Sequence, residues 1–348
     1  MSRRIAILTP FAFPSVRGNA VTVARIAAGL RERGVELAVW DRSVASEAAI
    51  AREVEAFAPD LVHAFHALGV GPLALRLARR LEIPLVVTLT GTDANEDLFD
   101  PSRAPLVRRV LEGASRLVAF HSSIADRVSA ALPDLRERFT IVAQAVALPR
   151  AEAFPLNAHW PLPPSRVLFL FPAGVREIKR PRFPLEPFDA LVARRPEIRL
   201  LYVGPVLESE EGRALGAALT ARPWARHIGP LPHRSMGSLL AAADVVLNCS
   251  RAEGGMPNAI LEALAMGRAV LASDIEGNRS VVEDGVTGLL FRDQAELLAN
   301  AERLTDDAAL RARLGAAGRS LVERRYPPER EIDGYLEAYR QLIPVAAA

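Results

Sequence analysis

The stretch that decides the fold is residues 245–291, VVLNCSRAEGGMPNAILEALAMGRAVLASDIEGNRSVVEDGVTGLLF. Its apolar runs and glycine-bearing turn predict a strand, a loop, a helix, a second strand and a second loop. Glu253 follows the first strand, and Glu262 lies on the helix. In an open α/β sheet, ligands bind at loops that leave the carboxyl ends of the strands. The stretch therefore predicts a ligand site bordered by two carboxylates.

The turn between the two glutamates has features of a binding loop. The backbone N–H groups of Gly254, Gly255 and Met256 are predicted to face a polyhydroxyl or anionic ligand. Pro257 fits the first helical turn, where its missing N–H costs nothing, and Asn258 follows it. The plainer alternative is an ordinary βαβ unit in which a glutamate caps the helix.

The same alternation of buried strands and amphipathic helices extends to both sides, which predicts parallel sheets. Residues 148–165 interrupt it with five prolines and are typical of a linker. We therefore predict an α/β protein with two Rossmann-like domains, over residues 1–155 and 156–325, followed by a C-terminal helical segment, 326–348. The patterns predict, among others, helices over Val21–Arg33, Glu47–Phe57, Asp307–Leu314 and Pro327–Gln341, and a strand over Ile141–Ala143.

The composition is typical of a globular protein without disulfides. The 348 residues are 50% hydrophobic and 24% charged, which suits two globular cores. The single cysteine, Cys249, excludes an intrachain disulfide and fits a reducing compartment. The net charge of +2 argues neither for nor against a nucleic-acid partner. No basic stripe interleaves with aromatics, so none is expected.

Targeting signals are also weak in this sequence. No apolar segment approaches the roughly 18 residues of a membrane-spanning helix. The N-terminus runs straight into a strand without the apolar core of a signal peptide. We expect a cytoplasmic protein that does not associate with membranes.

One loop stands out by its basic residues. The segment that follows the strand at 167–171 is PAGVREIKRP, and it holds Lys179, the only lysine among 43 basic residues. A lone lysine where arginine is otherwise universal suggests a site that needs a compact point charge. Arg176 lies three residues before it. The alternatives are chance survival of the lysine and a solvated basic loop.

The loops of the first half supply further candidates. Gly18 and Asn19 precede a predicted helix, where a small residue lets a phosphate approach backbone N–H groups. The segment is not a GxGxxG fingerprint, so no dinucleotide cofactor is expected; an ordinary strand–helix turn is the alternative. His63 and His66 lie near the end of a strand, where a purely structural role is equally open. No Cys or His recurs at metal-ligand spacing, so no metal is predicted.

Taken in order, these segments resemble the donor-sugar signature of retaining nucleotide-sugar glycosyltransferases of the two-Rossmann-domain (GT-B) type, family 4. The resemblance rests on the paired glutamates, Ala-Met-Gly at 265–267 and Gly-Val-Thr-Gly-Leu-Leu-Phe at 285–291. Eight residues separate Glu253 from Glu262, one more than the family's usual spacing, and the doubled glycine looks like the insertion.

The resemblance implies two facing Rossmann-like domains with an interdomain cleft, and a last helix that packs back on the first domain. It implies that Glu262 holds the donor's ribose and Glu253 its sugar hydroxyls. Lys179 and Arg176 would hold the diphosphate, with Gly18 and Asn19 on its other side. The implied reaction is a retaining transfer from a nucleotide-diphosphate sugar, by analogy a UDP-sugar, to a small molecule or glycan, without a metal or other cofactor.

On the acceptor side, the resemblance points to the ends of two strands. The acceptor-side residues are His66, Thr90, Thr92, Asp93 and Glu96. Thr90 stands where many members of the family carry a histidine. Asp93 and Glu96 are candidates for acceptor contacts or for a base, with Asp93 counted among the catalytic residues; the alternative is that both acids only cap the loop.

Gly-Asn-Ala-Val-Thr at 18–22 and Thr-Gly-Thr-Asp at 90–93 look like a narrower branch, the glycosyltransferase-1-domain-containing proteins, and also resemble bacterial selenosugar synthases. A selenosugar synthase would use the same donor site with selenophosphate as acceptor. A nucleotide-sugar epimerase and a non-catalytic nucleotide-sugar-binding protein would also be compatible with parts of the pattern. The acceptor, base, donor sugar and oligomeric state stay open.

Overall fold

The structure is a computed structural model that describes residues 3–12, 14–15, 17–146 and 152–343. The chain divides into two compact units. The first comprises Met1–Ala145, Gly254–Met256 and Pro327–Ala348, and the second comprises Val146–Glu253 and Pro257–Tyr326. The N-terminal stretch of the first unit ends at Ala145, and residues 148–151 of the predicted linker lie outside the described residues.

Each unit contains one six-stranded sheet, and every strand pairing is parallel, as predicted. The strands of the first sheet are β1 (Arg4–Thr9), β2 (Glu36–Asp41), β3 (Leu61–Phe65), β4 (Leu85–Thr88), β5 (Arg116–Ala119) and β6 (Phe139–Ile141). The strands of the second are β7 (Val167–Pro172), β8 (Ile198–Val203), β9 (Ala225–His227), β10 (Val245–Asn248), β11 (Ala269–Ser273) and β12 (Leu289–Phe291). The strand orders are β2-β1-β3-β4-β5-β6 and β12-β11-β10-β7-β8-β9.

Helices flank both sheets. Those before the second sheet's first strand are α1 (Gly18–Glu32), α2 (Glu47–Phe57), α3 (Gly71–Leu81), α4 (Ala104–Gly113), α5 (Ser122–Ala131) and α6 (Leu156–His159). Those after it are α7 (Leu185–Arg194), α8 (Ser209–Leu219), α9 (Met236–Ala242), α10 (Asn258–Ala265), α11 (Glu276–Arg279), α12 (Gln294–Asp306), α13 (Ala308–Arg325) and α14 (Pro328–Arg340). Short helical turns cover Asp93–Asp97, Pro133–Arg138, Glu177–Lys179 and His233–Ser235.

The first sheet is covered on both faces, which explains its continuous apolar strands. Successive side chains of β1 point to opposite faces. Ile5 and Ile7 join a core that includes residues of α1 and α14, whereas Ala6 and Leu8 join a core that includes residues of α2 to α5. Helix α14 therefore completes one layer of the first unit, although it comes last in the chain.

Four of the five predicted elements named above differ from the structure, and the helix predicted at Pro327–Gln341 is α14, Pro328–Arg340. Helix α2 has its predicted bounds, but α1 begins at Gly18 and not at Val21. The strand predicted at 141–143 lies at Phe139–Ile141. The helix predicted to end at Leu314 continues to Arg325, because Gly315 and Gly318 do not stop it. A Cβ at Gly318 would overlap Leu264 of α10, so this glycine permits close helix packing.

Candidate functional site

The second sheet changes direction between β7 and β10, which are neighbours in the sheet although other strands separate them in the chain. Strands β8 and β9 follow on the side of β7, and β11 and β12 follow on the side of β10. The loops after β7 and β10 therefore lead in opposite directions and leave a crevice between them. The loop after β7 carries Arg176 and Lys179, and the loop after β10 carries Glu253. The topology of the second unit alone thus brings three predicted residues to one sheet edge.

Backbone and side-chain bonds hold these two loops together. The Arg251 N–H donates to the Ile178 carbonyl at 2.8 Å, and the Arg251 guanidinium pairs with Glu177 at 2.9 Å. The short helical turn at 177–179 then presents Lys179 toward Glu253. Two loops separated widely in sequence form one structure at the sheet edge.

Glu253 is the centre of a compact polar cluster. Its Oε1 accepts hydrogen bonds from Lys179 Nζ at 2.5 Å, Ser250 Oγ at 2.6 Å and Asn248 Nδ2 at 3.1 Å. The side chains of Lys179 and Glu253 are 16% and 9% exposed. Burial raises the pKa of Glu253, but the charge of Lys179 and these hydrogen bonds outweigh it and leave the pKa below its ordinary value. Glu253 is therefore an anion at neutral pH.

Arg176 adds a second cation to the same loop. Its Nε is buried and has no hydrogen-bond partner among the described residues. Gly174 precedes Arg176 by two residues, and a Cβ at this glycine would lie 2.7 Å from Leu207 Cδ1. The side chain of Leu207 already fills the space beside that position.

Glu262 projects from α10 and pairs with a residue that the sequence did not single out. His233 Nε2 lies 2.7 Å from Glu262 Oε1, and the two side chains are 14% and 10% exposed. An ionised Glu262 can only accept, so Nε2 carries the proton. The only sequence signal for His233 is its place in the loop after β9, at the carboxyl edge of the sheet.

The predicted donor turn, Gly254–Met256, belongs to the first unit. A Cβ at Gly254 would overlap Gly91 Cα and the Thr90 carbonyl, and a Cβ at Gly255 would lie 3.4 Å from Phe120. Within the described part of the chain, the N–H groups of this turn donate no hydrogen bond. Pro257 precedes α10 in an extended conformation, and the helix itself begins at Asn258.

The first sheet has its own change of direction, between β1 and β3. Gly18 and Asn19 open the 15-residue helix α1 after β1, so both lie in its first turn. Asn19 Nδ2 donates to Thr9 Oγ1 at 2.9 Å. Asn19 Oδ1 is buried and has no hydrogen-bond partner among the described residues.

His66 follows β3 with a backbone φ of 102°, a conformation that non-glycine residues rarely adopt. Its Nδ1 accepts the N–H groups of Leu68 and Gly69 at 3.2 and 3.1 Å. The proton therefore lies on Nε2, which donates to Thr92 Oγ1 at 2.9 Å. The imidazole thus links the backbone of Leu68 and Gly69 to the exposed hydroxyl of Thr92.

Asp93, the predicted base, lies buried in the loop that follows β4. Its carboxylate is fully buried and accepts backbone N–H groups at 2.8 to 3.3 Å. The donating residues are Ala67, Thr90, Gly91 and Ala94. These bonds are the ones that the loop-capping alternative expects, and they occupy both carboxylate oxygens. Glu96, by contrast, is exposed.

Two further groups, His63 and Cys249, are buried in states that do not suit acid–base or nucleophilic catalysis. His63 is fully buried between Tyr339 Oη at 2.7 Å and Thr88 Oγ1 at 2.8 Å, and burial lowers its pKa to about 3. Cys249 is fully buried and burial raises the pKa of its thiol, so it stays protonated and unreactive.

Metal clusters and membrane-spanning helices are both absent from the described residues. No group of three or more His, Cys, Asp or Glu side chains within them is arranged to hold a metal ion. None of the described helices is both long enough and apolar enough to span a membrane. A cleft of about 730 Å³ does lie in the second unit, beside Arg279, Glu283, Arg325 and Tyr326, but none of the predicted donor residues lines it.

Family models match most of the chain. Residues 166–307 match the model described as Glycosyl transferases group 1, and residues 37–150 match the model described as Glycosyltransferase Family 4. The chain is 26% identical to Glycosyltransferase 1 domain-containing protein 1 of Xenopus tropicalis over 326 residues, 91% of this chain and 92% of that relative. It is 28% identical to D-inositol 3-phosphate glycosyltransferase of Streptomyces avermitilis over 281 residues, 74% of this chain and 60% of that relative.

Solved structures share the fold. The Anabaena protein HepE, crystallised with UDP and glucose, has a TM-score of 0.81 at 17% identity, with 97% of this chain and 99% of that chain covered. Sucrose-phosphate synthase from Thermosynechococcus elongatus has a TM-score of 0.80 at 19% identity, with 98% and 99% covered. The fold is therefore that of the GT-B proteins, as the sequence predicted.

Proposed function

The chain belongs to the glycosyltransferases with a group 1 domain on a GT-B fold, and from this premise we propose that it transfers a sugar, with retention, from a nucleotide-diphosphate sugar. We further propose a UDP-sugar as donor and a small molecule or glycan as acceptor. The crystal structures of HepE with UDP and glucose and with UDP-glucose support the choice of UDP.

The observation that carries the proposal is the pairing of Lys179 with Glu253 at the β7–β10 crevice. Breaking a glycosidic bond to a diphosphate leaves negative charge on the departing phosphate. A cation placed before the reaction stabilises that charge most in the transition state. Two cations are suited to this role, Lys179 and Arg176, whose buried Nε has no hydrogen-bond partner within the described part of the chain.

The two glutamates would hold the rest of the donor. Glu253 stays ionised and can accept sugar hydroxyls once its bond with Lys179 is exchanged for donor contacts. Glu262, whose Oε1 is oriented by His233, would accept from the ribose. Gly18 and Asn19 would approach the diphosphate at the start of α1.

The chemistry proposed needs no protein nucleophile. The sugar leaves and the acceptor attacks on one face through an oxocarbenium-like state, and the leaving phosphate takes the acceptor's proton. Two findings support this scheme, the fully bonded carboxylate of Asp93 and the protonated Nε2 of His66. We also propose that turnover needs no divalent metal; activity that survives EDTA would support this, and activity restored by added Mg²⁺ or Mn²⁺ would overturn it.

A donor screen tests the proposal. Purified protein would be heated with UDP-, GDP- and ADP-sugars while nucleotide release is followed with candidate acceptors, including D-inositol 3-phosphate and selenophosphate. Stabilisation by a UDP-sugar, with UDP release and an unchanged anomeric configuration by NMR, is expected. Release that depends on selenophosphate would move the assignment to a selenosugar synthase. No stabilisation by any nucleotide sugar would overturn the donor assignment.

A further inference from the structure

A buried hydrogen-bond relay in the first unit ends on the predicted donor turn. Gln144, 4% exposed, donates from Nε2 to the Met256 carbonyl at 2.5 Å. Its Oε1 accepts from Thr22 Oγ1 at 2.8 Å and from Arg25 Nη2 at 3.4 Å. Because Oε1 has two donors, the amide can point only its NH₂ group at the turn.

The relay begins on the last helix. Glu331 of α14 binds Arg25 of α1 through two hydrogen bonds, from Nε at 2.7 Å and from Nη2 at 2.8 Å. The side chains of Glu331 and Arg25 are 0% and 9% exposed, so water does not compete for this pair. The ion pair fixes the guanidinium, the guanidinium helps to fix the amide, and the amide fixes the Met256 carbonyl.

Packing around the turn also restricts its position. The backbone of Gly254 packs directly on that of Gly91, and Met256 is 3% exposed. Pro257 and α10, with Glu262, follow at once in the chain. A shift of the Met256 carbonyl would therefore be passed through the backbone to residues on both sides, Glu253 and Glu262.

We propose that Gln144 is a positioning residue for the donor site, which sets donor affinity by holding the backbone of the Gly254–Met256 turn. This inference rests on the proposed function, since that turn is the predicted donor loop. Active-site groups must be held within fractions of an ångström by the residues that support them. Gln144 meets that need because it donates to the Met256 carbonyl and is held through Arg25 by Glu331 of α14.

Gln144→Glu tests the inference with almost no change of shape. It replaces the amide NH₂ by an oxygen that repels the Met256 carbonyl. The matched control is Gln294→Glu, since Gln294 Nε2 also donates to a backbone carbonyl, that of Phe183 at 3.1 Å, at a place away from the turn. With UDP as the probe, we expect Gln144→Glu to weaken binding about tenfold, the equivalent of about 1.4 kcal/mol, and the control to bind as the wild type does.

A second variant and a second readout keep the outcome interpretable. Gln144→Met removes the hydrogen bonds without adding charge and should also weaken UDP binding. Amide hydrogen exchange of residues 254–264, measured without ligand, should speed up in both Gln144 variants and not in the control. Wild-type UDP affinity, or wild-type exchange, in both Gln144 variants would overturn the inference. A wild-type protein that binds no UDP would count against the proposed donor instead, and the exchange data would still decide the role of Gln144.

Discussion

Glu253 and Lys179 show what single residues contribute to this site. The sequence picks out both, the glutamate by its place in the turn and the lysine by its rarity. Nothing local in the sequence pairs them, because they lie 74 residues apart. The parallel sheet brings them together by placing β7 beside β10.

Removing one member of this pair should cost more than removing both. Lys179→Ala leaves a mostly buried carboxylate without its cation, and Glu253→Gln leaves the cation; each should lower the free energy of unfolding by about 3 kcal/mol. The double variant Lys179→Ala/Glu253→Gln should recover part of that loss. Urea unfolding of the four proteins measures the coupling, and strictly additive losses would show that the pair does not interact. Lys179→Ala should also lower donor turnover more than a few-fold.

Asp93 and Glu96 lie in the same helical turn, but Asp93 is buried and Glu96 is exposed. Asp93→Asn replaces one acceptor oxygen by an NH₂ group that faces backbone N–H donors, so it should lower the free energy of unfolding by about 2 kcal/mol. Glu96→Gln changes an exposed residue of the same turn and should stay within about 0.5 kcal/mol of the wild type. Equal stability of the two variants would contradict the role assigned to Asp93.

At the level of elements, α14 is bound to the first sheet through buried polar groups. His63 of β3 contacts Tyr339 of α14 through Nδ1 and Thr88 of β4 through Nε2, and Tyr335 of α14 packs beside the imidazole ring. Because burial lowers the pKa of His63 to about 3, the folded protein keeps the ring neutral, whereas the unfolded chain protonates it near pH 6.5.

This difference predicts a pH dependence of stability. The unfolded state binds one more proton than the folded state between pH 6.5 and about 3, so stability from His63 is present above that window and is lost as pH falls through it. The slope should be about 1.4 kcal/mol per pH unit. His63→Gln should remove this slope. Tyr339→Phe should keep it, because burial is the cause, while lowering stability by about 1 kcal/mol. The measurement is urea unfolding from pH 4 to 8, and equal slopes in wild type and His63→Gln would refute the assignment.

At the scale of the whole molecule, the sequence predicts the alternation of strands and helices, but it does not predict which distant side chains contact each other. Alternating patterns predicted two parallel sheets, because each pattern lies within one element. The contacts of Gln144 and His233 could not be predicted from local sequence. Gln144 bonds to Met256, 112 residues away, and His233 bonds to Glu262, 29 residues away. The placing of Gly254–Met256 in the first unit is a third property that no local pattern encodes.

Deleting residues 327–348 should unfold the first unit and spare the second. The deletion removes Ile332, Tyr335 and Tyr339 from the core beside α1 and leaves Arg25 without Glu331. Large apolar side chains lost from a core cost about 3 to 5 kcal/mol each, which is comparable to the whole stability of a domain. Hydrogen exchange should then be fast in β1 and β3 and slow in β8 and β11. Retained protection in β1 and β3 would contradict the dependence on α14.

The position of α14 also sets the order of events on the ribosome. All strands of the first sheet have been synthesised once Ile141 is made, but the layer that covers Ile5 and Ile7 is completed only by α14, after the second unit. At a translation rate of roughly 5 to 20 residues per second, the nascent first unit waits on the order of ten seconds or more with that face incompletely covered. We therefore expect the unit that is synthesised first to finish folding last, with an apolar face open during that interval to chaperones that bind such surface.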